Sequence, residues 1–203
     1  MKVTIEHATE DPVDVCSKAA GTCYAKRTKS VDRLARCFAL GHHSVFEHAA
    51  ATFYVEGISR ACMAQLTRHR VASFCVESQR YCKYDLAGRD WYVKPEAFSG
   101  ANVNAAAFDK IMEVCGAAYN AALKHGIRPE DARFLLPEAS KTNITVTMNC
   151  RELFHFFDMR RDKAAQWEIR QLAEAMAEAL KAQSWEWEFL IHLWEHKNGG
   201  GKD

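Results

Sequence analysis

A chain of 203 residues, 48% of them apolar, is long enough to bury one sizeable core and is read as a single domain over 1–197 with a short tail. Its 27 basic and 26 acidic side chains leave a formal charge of +1, without the positive excess that a protein devoted to nucleic-acid backbones requires. No apolar run approaches the roughly 18 residues of a membrane span and no cationic leader precedes one, so the protein is read as cytoplasmic. Its eight cysteines are scattered without a CxxC pair, which points to reduced thiols used mostly for packing.

Along the chain, Asp11-Pro12 combines an N-cap with a proline at the first helical position and opens a helix to about residue 20. Ser30 caps a second helix that stops at Gly41, and residues 52–56 alternate as a strand. Ile58, Cys62, Leu66 and His69 recur at helical spacing, predicting an amphipathic helix with the charges of 68–70 at its C-terminal end. Residues 71–76 are a small apolar run, unsuited to a solvated basic tail. The spacing of Phe108, Ile111, Met112, Cys115 and Ala122 predicts a long helix over 104–124 before a glycine stop at Gly126. Residues 142–148 alternate as a half-buried strand, and Asn149 with Glu152 approximates a capping box for a helix to about 159. Helices over 165–182 and 185–195 follow, the first turning Ile169, Leu172, Met176 and Leu180 inward, and the glycine-rich 198–203 is expected to be disordered. The mixture is α+β.

The chemistry concentrates in a few places. Arg68, Arg70 and Arg80, with His69, Ser73 and Ser78, gather planar permanent charges and hydroxyl donors in one segment, an array suited to phosphate or carboxylate. A solvated basic face is the plain alternative, but the apolar flanks on both sides place the array at the mouth of a cleft. On the helix after Asn149, Arg151, His155 and Asp158 share a face opposite Leu153, Phe154 and Phe157. His42, His43 and His48 invite a zinc reading, but their spacing matches no common site and no metal is assigned. Ser78 as a nucleophile would need an adjacent base that no sequence feature supplies. Cys75 is the better intrinsic nucleophile, yet a free cysteine is more often a small packed residue, so neither is given that role.

Arg68-His69-Arg70, seven residues, then Ser78-Gln79-Arg80-Tyr81 resembles the signature of the flavin-dependent thymidylate synthases. Further blocks follow the same family's order: Gly41-His42-His43-Ser44-Val45-Phe46-Glu47-His48 before it, then Arg133-Phe134-Leu135-Leu136-Pro137, Asn149-Cys150-Arg151-Glu152-Leu153 through Arg160, and Ala165-Gln166-Trp167-Glu168-Ile169. The resemblance implies that family's fold, a small mostly antiparallel sheet surrounded by helices. It implies reductive methylation of dUMP to dTMP, with methylenetetrahydrofolate as carbon donor and FAD, reduced by NADPH, as hydride source. The flavin contacts it implies are Ser44, Glu47, Arg68, His69, Arg70, Val76, Asn149, Cys150, Arg151 and His155, with 68–70 facing the pyrophosphate. The nucleotide contacts it implies are Gln65, Leu66, Thr67, Arg68, Val76, Glu77, Ser78, Gln79, Arg80, Arg133 and Arg160. Arg160 is the catalytic group, a guanidinium that favours an anionic uracil ring. The resemblance also implies a homotetramer with active sites where subunits meet, in keeping with a sequence that has no GxGxxG loop to enclose a dinucleotide. No nucleic acid and no membrane is expected as a partner.

The sequence departs from the family pattern at Cys75, where Asn or Ser is frequent, at Val76, where Glu or Gln is frequent, and at His155, where Asn is usual. Val76 has no hydrogen-bonding side chain, so a polar contact there must come from backbone or from Glu77. Two other readings stand beside the synthase. An NADPH oxidase of the same fold without methyl transfer is motivated by Val76 alone. An RNA-binding module is motivated by the charges beside Phe74, Tyr81 and Tyr84, but no RNP-like or GXXG pattern accompanies them.

Overall fold

A computed structural model describes residues 1–82, 84, 86, 90–100 and 103–199. Four strands form one sheet in the order β1-β2-β4-β3: β1 (Lys2–Ala8), β2 (Ala50–Ser59), β3 (Ala72–Val76) and β4 (Lys141–Asn149). Thr52 lies opposite Thr147, their hydroxyls 2.9 Å apart, and the Gly57 N–H donates to the Asn143 side chain at 3.0 Å. Moving forward along β2 moves backward along β4, so this central pair is antiparallel. The helices are α1 (Pro12–Thr22), α2 (Val31–Ala39), α3 (Arg60–Leu66), α4 (Val103–Lys124), α5 (Pro129–Ala132), α6 (Cys150–Arg160), α7 (Trp167–Gln183) and α8 (Trp185–Gly199). The α+β class expected from the sequence holds.

The described chain forms two compact units. Among the described residues, the first comprises those of 1–55, 66–74 and 145–199, the second those of 56–65 and 75–144. In the first, the alternation of β2 buries Ala51, Phe53 and Val55, while Phe38, Phe46 and Phe154 meet edge to face at centroid distances of 5.3 to 5.9 Å. Trp187 is fully buried and its indole N–H donates to the Thr9 carbonyl at 3.1 Å. In the second, Tyr119 of α4, Leu86 and Ala132 make a smaller core with Trp91 and Leu136 against it. Gly116 sits where a Cβ would lie 3.1 Å from the Leu86 carbonyl and 3.2 Å from the Trp91 ring, so the absence of a side chain permits that approach.

Several local expectations are corrected. Asp11 stands at the N-cap of α1 but its side chain caps nothing; the Val13 N–H donates instead to Glu186 Oε2 at 2.9 Å, a buried carboxylate from α8 that also pairs with Lys29. Ser30 does cap α2, accepting from the Arg33 N–H at 3.2 Å, and Gly41 closes it at φ +75°. The helix read over 58–69 is shorter, because β2 runs through Ile58 and Ser59 and the helix ends at Leu66. His69 therefore lies beyond the helix. The apolar run at 71–76 contains strand β3, and β1 was not anticipated. Both are edge strands with no fully buried face, which weakens the alternation that would announce them. Helix α8 continues through Gly199, two residues into the segment read as tail, and 200–203 lie outside the described residues. No helix among the described residues is long and apolar enough to cross a membrane.

Candidate active site

The first unit carries a cleft of about 550 Å³, lined by residues of α2, the 3-10 segment His43–His48, α6 and α8. Its polar members are His43, Glu47, Asn149, Arg151, Glu152, His155 and Asp158, and its flat apolar walls are Phe38, Phe154 and Trp194. Helix α6 supplies most of it. Asn149 caps the helix, its Oδ1 accepting from the Glu152 N–H at 2.9 Å, and the turn that follows throws Arg151 and His155 outward while Leu153, Phe154, Phe156 and Phe157 are buried. Arg151 pairs with Glu47 across this cleft, both side chains about half exposed. Cationic and imidazole donors beside aromatic faces suit a flat ligand that carries anionic groups.

Below the cleft the Arg-His-Arg run divides. Arg68 and Arg70 are exposed and, among the described residues, have no ion-pair partner, whereas His69 is only 3% exposed. The imidazole Nδ1 lies 3.0 Å from Glu152 Oε1, and Arg160 Nε donates to its Nε2 at 3.0 Å. Burial pushes the His69 pKa below its ordinary 6.5, the Glu152 hydrogen bond opposes this, and the Arg160 charge adds to it. His69, Glu152 and His155 place ligand-capable atoms within 4.8 Å of one another. A guanidinium already on the His69 ring makes that spot unfavourable for a second cation.

The second unit holds a separate anion-seeking surface. Ser78 Oγ accepts from the Arg80 N–H at 3.3 Å, and Arg80 Nε lies 3.5 Å from Glu130 Oε2, whose backbone carbonyl accepts from Arg133 Nε at 3.0 Å. Arg133, Gln79, Arg60 and Phe134 line a recess of about 260 Å³. Glu77 points the other way, accepting from the Asn143 amide at 2.8 Å at one edge of a neighbouring pocket of about 280 Å³. Tyr81 and Phe134 stand 79% and 82% exposed beside Arg80 and Arg133.

The sequence-read residues thus fall into two groups. Ser44, Glu47, Thr67, Arg68, Arg70, Asn149, Arg151, His155 and Arg160 belong to the first unit, and Gln65, Val76, Glu77, Ser78, Gln79, Arg80 and Arg133 to the second. Three of the residues expected by resemblance to contact flavin or nucleotide are buried. Cys150 is fully buried, with its thiol pKa raised by desolvation and its N–H given to the Ala49 carbonyl at 2.8 Å. Leu66 is likewise fully buried. His69 has both ring nitrogens engaged inside the fold. Glu152 was legible only as a helix-cap partner, and its carboxylate in fact turns to His69 instead of back to the cap. Phe38 and Trp194 carried no motif that marked them as cleft walls.

Fold and site together define a small α+β protein with one cleft whose lining suits a flat anionic ligand and one basic cluster suited to a second anion. A family model for the thymidylate synthase complementing protein matches residues 4–184, across both units. A flavin-dependent thymidylate synthase of Geobacter sulfurreducens is 42% identical over 192 residues, covering 89% of this chain and 82% of that protein. Its counterpart in Pyrococcus furiosus is 38% identical over 192 residues, covering 89% and 79%. Among solved structures, the flavin-dependent thymidylate synthase of Helicobacter pylori, complexed with FAD and dUMP, superposes with a TM-score of 0.73 at 26% identity, covering 94% of this chain and 98% of that one. The chain belongs to the flavin-dependent thymidylate synthase family.

Proposed function

We propose that the protein is a flavin-dependent thymidylate synthase that converts dUMP to dTMP, with methylenetetrahydrofolate as carbon donor and NADPH as reductant. The observation that carries this reading is the cleft built on α6, where Asn149, Arg151 and His155, the residues matched to the family's flavin motif, lie beside aromatic walls. FAD fits the donor set, since Arg151 and His155 offer charge and hydrogen bonds to its polar groups and Phe38, Phe154 and Trp194 offer faces to its rings. FAD when bound supplies the hydride. The chain itself contributes binding and electrostatics.

Ser78, Arg80 and Arg133 are the natural grip for the nucleotide phosphate, a dianion that matches two guanidinium groups and a hydroxyl. Arg160 faces the pyrimidine in this reading, where its fixed charge stabilises negative charge developing in the ring. Val76 contributes backbone only. A polar side-chain contact there falls to Glu77, whose Oε2 also accepts from the Asn143 amide. Arg68 and Arg70 remain as counter-ions for the flavin pyrophosphate. A homotetramer with shared sites, supported by the two exposed guanidinium groups and the exposed Tyr81 and Phe134, and a cytoplasmic location complete the reading.

Purified protein tests this directly. Flavin absorbance together with thymidylate formation from dUMP, NADPH and methylenetetrahydrofolate is expected. NADPH consumption without thymidylate would replace the synthase with an oxidase. Light scattering on the flavin-loaded protein checks the tetramer, and a monomer with full flavin affinity would overturn it.

A further inference from the structure

The hydrogen bonds at His69 determine where its proton resides. Arg160 Nε can only donate, so His69 Nε2, at 3.0 Å, must present a lone pair. The proton is then on Nδ1, where Glu152 Oε1 accepts it at 3.0 Å. Of the three forms an imidazole can take, only the neutral Nδ1–H tautomer satisfies both bonds. The doubly protonated ring would turn an N–H toward the guanidinium. The pair is enclosed, His69 at 3% and Glu152 at 6% exposure, with the Phe156 ring against the imidazole at 5.0 Å. His155, whose ring lies 5.6 Å away, is the remaining titratable neighbour, and like Arg160 it disfavours a charged His69.

An arginine that must stabilise negative charge in a ligand needs to be held without being neutralised. A carboxylate bound directly to Arg160 would fix its position and cancel its field. At Nε the acceptor is a neutral imidazole, and the Glu152 carboxylate that orients it sits one ring further away. We propose that Glu152 and His69 form a positioning pair for Arg160: Glu152 locks the His69 tautomer, and the locked imidazole holds the guanidinium by Nε in the orientation that faces the pyrimidine. This rests on the reading of Arg160 as the group that faces the pyrimidine. Neither Glu152 nor His69 touches the reacting atoms in this scheme.

The test uses the FAD-loaded enzyme and 5-fluoro-dUMP, whose N3 ionisation can be followed by difference absorbance while pH is varied, alongside steady-state turnover of dUMP. Arg160→Ala is the control for the underlying reading and should move the bound nucleotide's titration to higher pH. Glu152→Leu is expected to move it in the same direction and lower kcat by about 10- to 100-fold, with KM for dUMP within about threefold. Glu152→Gln keeps a carbonyl acceptor for Nδ1–H and should stay within about threefold of the parent in kcat. His69→Phe, which keeps the ring and removes the acceptor, should reproduce Glu152→Leu and serves if that variant fails to retain flavin. A wild-type titration in both Glu152→Leu and His69→Phe, with Arg160→Ala shifted, overturns the positioning pair and leaves the reading of Arg160 intact. An unshifted Arg160→Ala overturns that reading, and the pair with it.

Discussion

The two anion-seeking regions are built on opposite plans. In the first unit one charge, Arg160, is anchored by buried polar structure: Asn149 caps α6, His69 and Glu152 lie inside, and Arg160 is tied to them. In the second unit Ser78, Arg80 and Arg133 are held mainly by backbone and by one partly exposed carboxylate, Glu130, with Arg80 itself 53% exposed. A buried network has one arrangement and resists rearrangement, whereas an exposed cluster is held weakly and adapts. The difference suits the two tasks proposed for them. Charge stabilisation in a reaction needs fixed geometry, and gripping a phosphate needs charge that can follow its ligand.

The contrast is broken most directly at Arg160. Arg160→Ala should cut thymidylate formation by about 10²- to 10³-fold with flavin content preserved, measured by single-turnover product analysis. An effect under tenfold would mean that the rigid region does not carry the chemistry. Ser78→Ala should weaken dUMP binding by roughly tenfold in calorimetric titration, one charge-assisted hydrogen bond, and leave measurable turnover at saturating nucleotide. Abolished turnover with intact binding would instead make Ser78 a nucleophile.

Acid should act on the rigid region. The folded His69 has its pKa below the ordinary 6.5, so between those values the unfolded chain binds the proton and the folded one does not. The stability tied to the neutral ring is complete above 6.5, is lost as pH falls below it, and contributes no slope at higher pH. Urea unfolding from pH 7.5 down to 5 should show this loss, at most about 1.4 kcal/mol per pH unit for one group. His69→Gln should remove it, and an unchanged slope would place the ring's titration elsewhere. The smallest effect is expected at the rim, where Glu47→Gln releases Arg151 from an exposed pair and should alter unfolding stability by less than about 1 kcal/mol. A larger loss would show that the cleft depends on its surface pair.

Much of this was legible along the chain, because the signals were local. The caps at Ser30 and Asn149, the glycine stops at Gly41 and Gly126, the alternation of 142–148 and the spacing in α4 and α7 each involve residues within a few positions of one another. Their consequences are set by the same short-range sterics and hydrogen bonds that define helices and strands. The motif blocks named the family for the same reason, since short strings of residue types carry them.

Partnership across long sequence separations could not be read there. Glu186 caps a helix that starts 173 positions earlier at Val13, and His69 meets Glu152 across 83 positions and Arg160 across 91. Arg68, His69 and Arg70 look alike as an anion array on paper. Folding sends the outer two to solvent and turns the middle one inward, because only burial and the competition for hydrogen-bond partners decide which polar group meets water and which meets protein. The sequence by itself determined the class, the family and the set of charges. The tertiary structure decided which of those polar groups are buried against one another and which face solvent.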